Sequence, residues 1–179
     1  IAAFVQDFSG SHRFVLDYLI EEVVHRQPDD VSAFLLHTCV LDQLTGGLCD
    51  ALTGRSDGQQ MLERLERENV FVVPLDDARH WYRYHHLFAD ALRAGLTAEH
   101  ADRIGTLHAA ASRWFAENGM LIEAVRQSSA SGDDEHTAEL VELTLADVRR
   151  RRQDHLLHEW LRALPDPVVR RRPLLAVLG

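Results

Sequence analysis

A chain of 179 residues with 46% apolar side chains has enough material for one substantial domain or two small ones, each with a buried core. No run approaches the roughly 18 consecutive apolar residues of a membrane span, and no basic-then-apolar leader opens the chain, so a cytoplasmic protein without a membrane partner is expected. The formal charge of −9 argues against a chain that grips nucleic acid over its whole surface, because such affinity comes from many basic groups meeting phosphates; all 19 basic residues are arginine.

Ser9 or Ser11 is placed to cap a helix over about residues 12–26, in which Phe14, Leu19 and Val23 recur at helical spacing. Gln27 and Pro28 end it. Pro28 suits the first turn of the next helix, Asp29 and Asp30 suit its positive end, and Val31, Phe34, Leu35 and Cys39 form its apolar stripe. After a break at residues 42–45, "GGLCDALTG" reads as a short helix closed by Gly54. "SDGQQMLERLERENV" reads as another, with Asp57 as cap and Gln60 three residues on in capping-box fashion.

The period then changes. "VFVVPL" and "HWYRYH" are β-branched or aromatic runs separated by "DDAR", which predicts a hairpin with a four-residue turn. Three helices followed by a hairpin make a winged-helix arrangement. Strand alternation puts Trp81, Arg83 and His85 on one face and His80, Tyr82 and Tyr84 on the other.

"HLFADALRAGL" returns to helix, and Thr97 reads as the cap of a longer one running through Ile104, Leu107, Ala111, Trp114 and Phe115 to Gly119. Helical pairs follow, closing at Gly132 and Pro165, with "RRRPLLAVLG" opening one more. Their small-residue and aromatic spacing suggests tetratricopeptide-like hairpins. The predicted fold class is therefore mainly α: an opening helical segment over 1–27, a winged-helix domain with a β-hairpin wing over 28–96, and an antiparallel helical-hairpin arm over 97–179. The start at "IAAFVQDFSG", without methionine, and the stop inside a helix-like stretch read as an excised piece of something longer. Cys39 and Cys49 lie among apolar neighbours outside any ligand pattern and are expected to be buried thiols, with a disulfide between their helices as the alternative.

"FSGSHRFVLDYLIEEV", "VLDQLTGGLCDALTG", "MLERLERENVFVVPLDDARHWYRYHHLFADALR" and "WLRALPDPVVRRRPLLAVL" together resemble the middle of the large MalT-like regulators of the LuxR class, within the STAND group of ATP-switched proteins. The similarity covers essentially the whole chain. It implies an N-terminal P-loop ATPase module before the winged helix, a helical superhelix that senses inducer after it, and a C-terminal helix-turn-helix that binds promoters. The implied cofactor of the parent is ATP or ADP with Mg, with none expected in this stretch, which contains no GxxxxGK[ST]. The implied partners are the parent's own ATPase and DNA-binding domains, with room for self-association on activation.

The resemblance also singles out a site. STAND proteins carry a Met-His-Asp-like tripeptide at the end of the winged helix, whose histidine reaches the phosphate of bound ADP. "Tyr84-His85-His86" stands in that place, so His85 matches the histidine, while Tyr84 and His86 depart from the pattern. The chemistry suits the residues: a histidine where a strand meets a helix can offer an imidazole N–H to a phosphate beside helix N-terminal amides, and Arg83 can strengthen such a site. The competing reading is a histidine packed in the domain, with Arg83 paired to a surface carboxylate.

Other chemistries have weaker support. His80, His85 and His86 lack the further ligands that zinc requires. Ser9 and Ser11 carry no nucleophile motif, so no catalytic residue is expected. A DNA-reading "GQQMLERLERENV" helix would set Glu63, Glu66 and Glu68 against Arg64 and Arg67, so no direct DNA contact is expected. A helical-repeat scaffold that binds partners through a groove formed by Trp114, Leu121, Trp160 and Leu161 is the alternative function.

Overall fold

The computed structural model describes residues 19–177, with side chains from residue 20 onward. Ser9, Ser11 and Phe14, and with them the first half of the predicted first helix, lie outside the described residues. Its last part, Leu19–Val24, winds as a π-helical turn, and Gln27 N–H closes on Val24 O at 3.0 Å.

Three helices follow: α1 (Asp29–Thr38), α2 (Gly46–Thr53) and α3 (Gly58–Arg67). Thr45 caps α2 by accepting Leu48 N–H at 3.2 Å, and Gly54 ends it in the left-handed conformation at φ 70°. The predicted Asp57 cap of α3 does not form. Arg55 takes both Asp57 carboxylate oxygens at 2.7 Å, and the Gly58 N–H turns instead to Asp50 Oδ1 at 2.8 Å. A charge-assisted bidentate pair outcompetes a neutral amide for the same carboxylate. The α2–α3 crossing is close: a Cβ on Gly58 would fall 2.5 Å from Gly46 O, so the crossing requires glycine.

Strands β1 (Val72–Pro74) and β2 (Tyr82–Tyr84) pair antiparallel with Val72 opposite Tyr84 and Pro74 opposite Tyr82. Leu75 N–H to Trp81 O at 2.7 Å extends the ladder towards the turn. On the other side of β2, Leu44 and Tyr82 exchange backbone bonds at 2.8 and 2.9 Å, which ties the break after α1 to the wing. Asp76 folds the tip by accepting the His80 and Trp81 amides at 3.1 and 2.8 Å. Arg79 then fastens the tip to α3, pairing with Glu66 at 3.1 Å while its carbonyl accepts Gln59 Nε2 at 3.0 Å.

Helix α4 (His86–His100) runs without interruption through Gly95 and Thr97. This corrects the expected cap at Thr97, whose hydroxyl donates to Arg93 O at 2.8 Å inside the helix. A 3-10 turn, Ala101–Arg103, separates α4 from α5 (Ile104–Glu117). The chain divides into two compact units, residues 1–104 and 105–179. The first is cored by Phe34, Leu35, Leu48, Leu62, Leu65, Tyr82, Phe88 and Leu92, which are all but solvent-free. Cys39 and Cys49 are free and buried, so no disulfide joins their helices.

The second unit continues through α6 (Leu121–Ser131), α7 (Asp134–Arg150), α8 (Asp154–Ala163), α9 (Asp166–Arg171) and α10 (Pro173–Ala176). Gly132 at φ 81° ends α6, and Asp133 caps α7 by accepting His136 N–H at 3.0 Å. Polar side chains join α6 to its neighbours: Ser112 Oγ donates to Ala124 O at 2.8 Å, and Thr137 Oγ1 to Ser128 Oγ at 2.8 Å. Arg172 bonds to Glu142 at 3.0 Å and reaches Glu135 and Glu139, holding the last turns on α7. The chain is thus mainly α, with a single hairpin among the described residues. None of the described helices is long and apolar enough to cross a membrane.

Candidate functional site at the wing-to-helix junction

The alternation of β2 sorts its side chains in two directions. Tyr82 and Tyr84 are buried, whereas Arg83 and His85 are exposed. Tyr84 anchors the strand: its hydroxyl lies 2.7 Å from Thr38 Oγ1, which itself donates to Phe34 O at 2.7 Å, and its ring meets Phe88 edge-on at 5.8 Å. Burial pushes the Tyr84 phenol well above its ordinary range, so it stays a neutral donor. Burial likewise raises the Cys39 thiol to about 12 and the Cys49 thiol further, so neither is a ready nucleophile.

His85 occupies the position before α4, with φ −59° and ψ 136°, and its backbone N–H donates to Phe71 O at 2.8 Å. Its C=O accepts the first helical bond, from Ala89 N–H at 2.9 Å. No side chain caps α4, so the positive end of a 15-residue helix opens beside two imidazoles. His85 and His86 stack at 4.4 Å between ring centroids, and both are exposed. Among the described residues, neither imidazole has a hydrogen-bond partner, and Arg83 has no carboxylate within ion-pair distance. His85 and Arg83 thus share an outward face, with His86 one residue on.

Phe71 escaped sequence reasoning. It is placed just before β1 at φ 52°, a left-handed conformation rare for a bulky side chain, and is 41% exposed. Its ring is 6.5 Å from that of His85 and 5.1 Å from Phe88. Val73 and Leu75, 38% and 43% exposed, continue an apolar strip along β1, next to Arg83 and the half-buried Trp81. A run such as "VFVVPL" carries no signal for which valines face out, nor for a twist at its second residue.

The remaining candidates are dispersed. His80 is exposed at the wing tip, and no cluster of three or more metal-ligating side chains occurs among the described residues. Of the four residues of the expected groove, Trp160 is buried, Trp114 packs edge-on against Phe115 at 5.4 Å, Leu121 is half-buried, and Leu161 lines a cleft of ≈ 700 Å³.

Residues 20–104 match the family described as the MalT winged helix domain. Over 162 residues, 90% of the chain, the sequence is 35% identical to the HTH-type transcriptional regulator MalT of Yersinia pestis (strain Pestoides F), of which it covers 18%. The same figures hold for MalT of Yersinia pseudotuberculosis serotype O:1b. Over 138 residues, 77% of the chain, it is 37% identical to the serine/threonine-protein kinase PknK of Mycobacterium tuberculosis (strain CDC 1551 / Oshkosh), of which it covers 12%. The chain therefore spans less than a fifth of the length of these curated relatives. Three helices, a hairpin wing and a matching sequence converge on one conclusion: residues 20–104 belong to the MalT winged helix domain family, and the chain as a whole is similar to a stretch of MalT.

Proposed function

We propose that the winged helix is a non-catalytic switch block of an ATP-dependent transcriptional regulator, relaying nucleotide state between a P-loop ATPase module and a LuxR-type DNA-binding module elsewhere in the parent protein. The observation that carries this reading is the outward His85 imidazole at the uncapped start of α4, beside Arg83. An imidazole N–H, a guanidinium and helix-end amides are the donors that a phosphate requires. The residues fit one phosphate contact rather than a whole nucleotide site, since no glycine-rich phosphate loop is present. Bound ADP would supply the anion. His85 and Arg83 would hold the wing to it, with His86 flanking, and the apolar strip Phe71, Val73 and Leu75 would lie against the ATPase surface.

A contact made in one state and lost in the other shifts the equilibrium by its affinity difference. A charge-assisted hydrogen bond is worth ~1.5–3 kcal/mol, so His85→Gln in the parent protein should speed ADP dissociation by about tenfold or more. An unchanged rate in a folded variant would sink the latch. The isolated chain should show no micromolar affinity for ADP in a calorimetric titration.

The kinase relative favours a second reading of the parent's output. The same stretch is shared with a protein named as a kinase and with proteins named as transcriptional regulators. What they share is then the switch block, and the output module is separable from it.

A further inference from the structure

The last turn of the winged-helix unit is held by an unusual pair. Arg103, which ends the 3-10 turn before α5, places Nη1 2.9 Å from Nε2 of His37 on α1. An arginine is always a donor, so this hydrogen bond exists only while Nε2 keeps its lone pair, that is, while His37 is neutral. Arg103 and His100 are the charged or titratable groups that face His37, from the 3-10 turn and the end of α4. Both oppose a proton on its ring. Residue 103 also stands directly before the division between the compact units at residues 104 and 105.

We propose that the Arg103–His37 contact is a releasable clasp: it seats the linker Ala101–Arg103 on α1 while His37 is neutral and lets it go when His37 is protonated. The linker has little else to hold it. His100 leaves helical geometry at φ −142° and ψ 41°, and Ala101, Asp102 and Arg103 are all exposed. Opening the clasp would convert a fixed turn into a loose tether ahead of the helical arm.

The direction follows from linkage. Burial first, then Arg103 and His100, lowers the His37 value below the ordinary 6.5. A base with a depressed value in the closed state contributes fully above its ordinary range, and that contribution is lost as pH falls from there through the depressed value. The same unit also holds His25 3.5 Å from Glu99.

The test is hydrogen exchange of the whole chain, corrected for intrinsic rates, with the His37 ring followed in parallel by NMR. In the unaltered protein, protection at residues 101–104 should fall roughly three- to tenfold as the His37 ring titrates. His37→Gln, which retains an acceptor but cannot titrate, should keep protection at both ends of the range. Arg103→Ala should lose it throughout and should move the His37 midpoint up towards the ordinary value. Linker protection that ignores the His37 titration, or a His37→Gln variant that responds to pH as the unaltered protein does, overturns the clasp. Far-UV circular dichroism separates either result from a folding defect.

Discussion

Thr38 and Tyr84 form a two-hydroxyl relay in the core of the winged helix, ending on Phe34 O. Removing the two hydroxyls has unequal consequences. Tyr84→Phe leaves Thr38 donating to its carbonyl and should cost ~0.5–1.5 kcal/mol, whereas Thr38→Val strands a buried phenol and should cost ~1–3 kcal/mol. Urea denaturation of both variants checks the order. Asp76 adds a pH term: the amides of His80 and Trp81 hold its carboxyl below the ordinary carboxylate range. The stabilisation of the wing tip is therefore present above that range and fades as pH falls through the lowered value; Asp76→Asn should remove the dependence in an NMR titration of the tip amides. The burial of Tyr84 and the exposure of Arg83 and His85 could be foreseen, because a strand's period of two leaves little choice once one tyrosine is inside. The ring of Phe71 beside His85 could not, since it depends on a left-handed twist that no residue type there demands.

At the level of elements, the sequence patterns located the helices better than they located the bonds at their ends. Asp57 has the residue type and position of a cap, yet its carboxylate is drawn to Arg55, two residues away. Thr97 has the residue type of a cap, yet α4 passes through it, and its hydroxyl donates back to Arg93 O within the helix. At Asp57 a stronger charged partner close in sequence overrides the preference of the residue type. The tight α2–α3 crossing has its own signature. Gly58→Ala would press a methyl against Gly46 O and Asp50, so a loss of ~1–3 kcal/mol is expected in thermal or denaturant unfolding. His85→Ala, by contrast, removes an exposed ring with no hydrogen-bond partner among the described residues and should change stability by no more than ~0.5 kcal/mol. That contrast separates a packing position from a contact position.

For the whole molecule, a net charge of −9 and the carboxylates of α3 set the expectation that random duplex DNA, even at low salt, will show no gel shift with this chain. The helices of the arm were legible from its glycine stops and aromatic spacing, but the surroundings of its tryptophans and leucines were not, since periodicity does not tell a side chain that faces a partner helix from one that faces a cleft. The bond from Arg79 to Glu66 bears on the question of output. The tip of the wing is buttoned to the helix that a DNA reader would have to present bare, so Glu66 and Gln59 of that helix are already engaged by the wing. On the reading proposed above such a part would be portable, its internal ties staying intact whatever stood on either side of it.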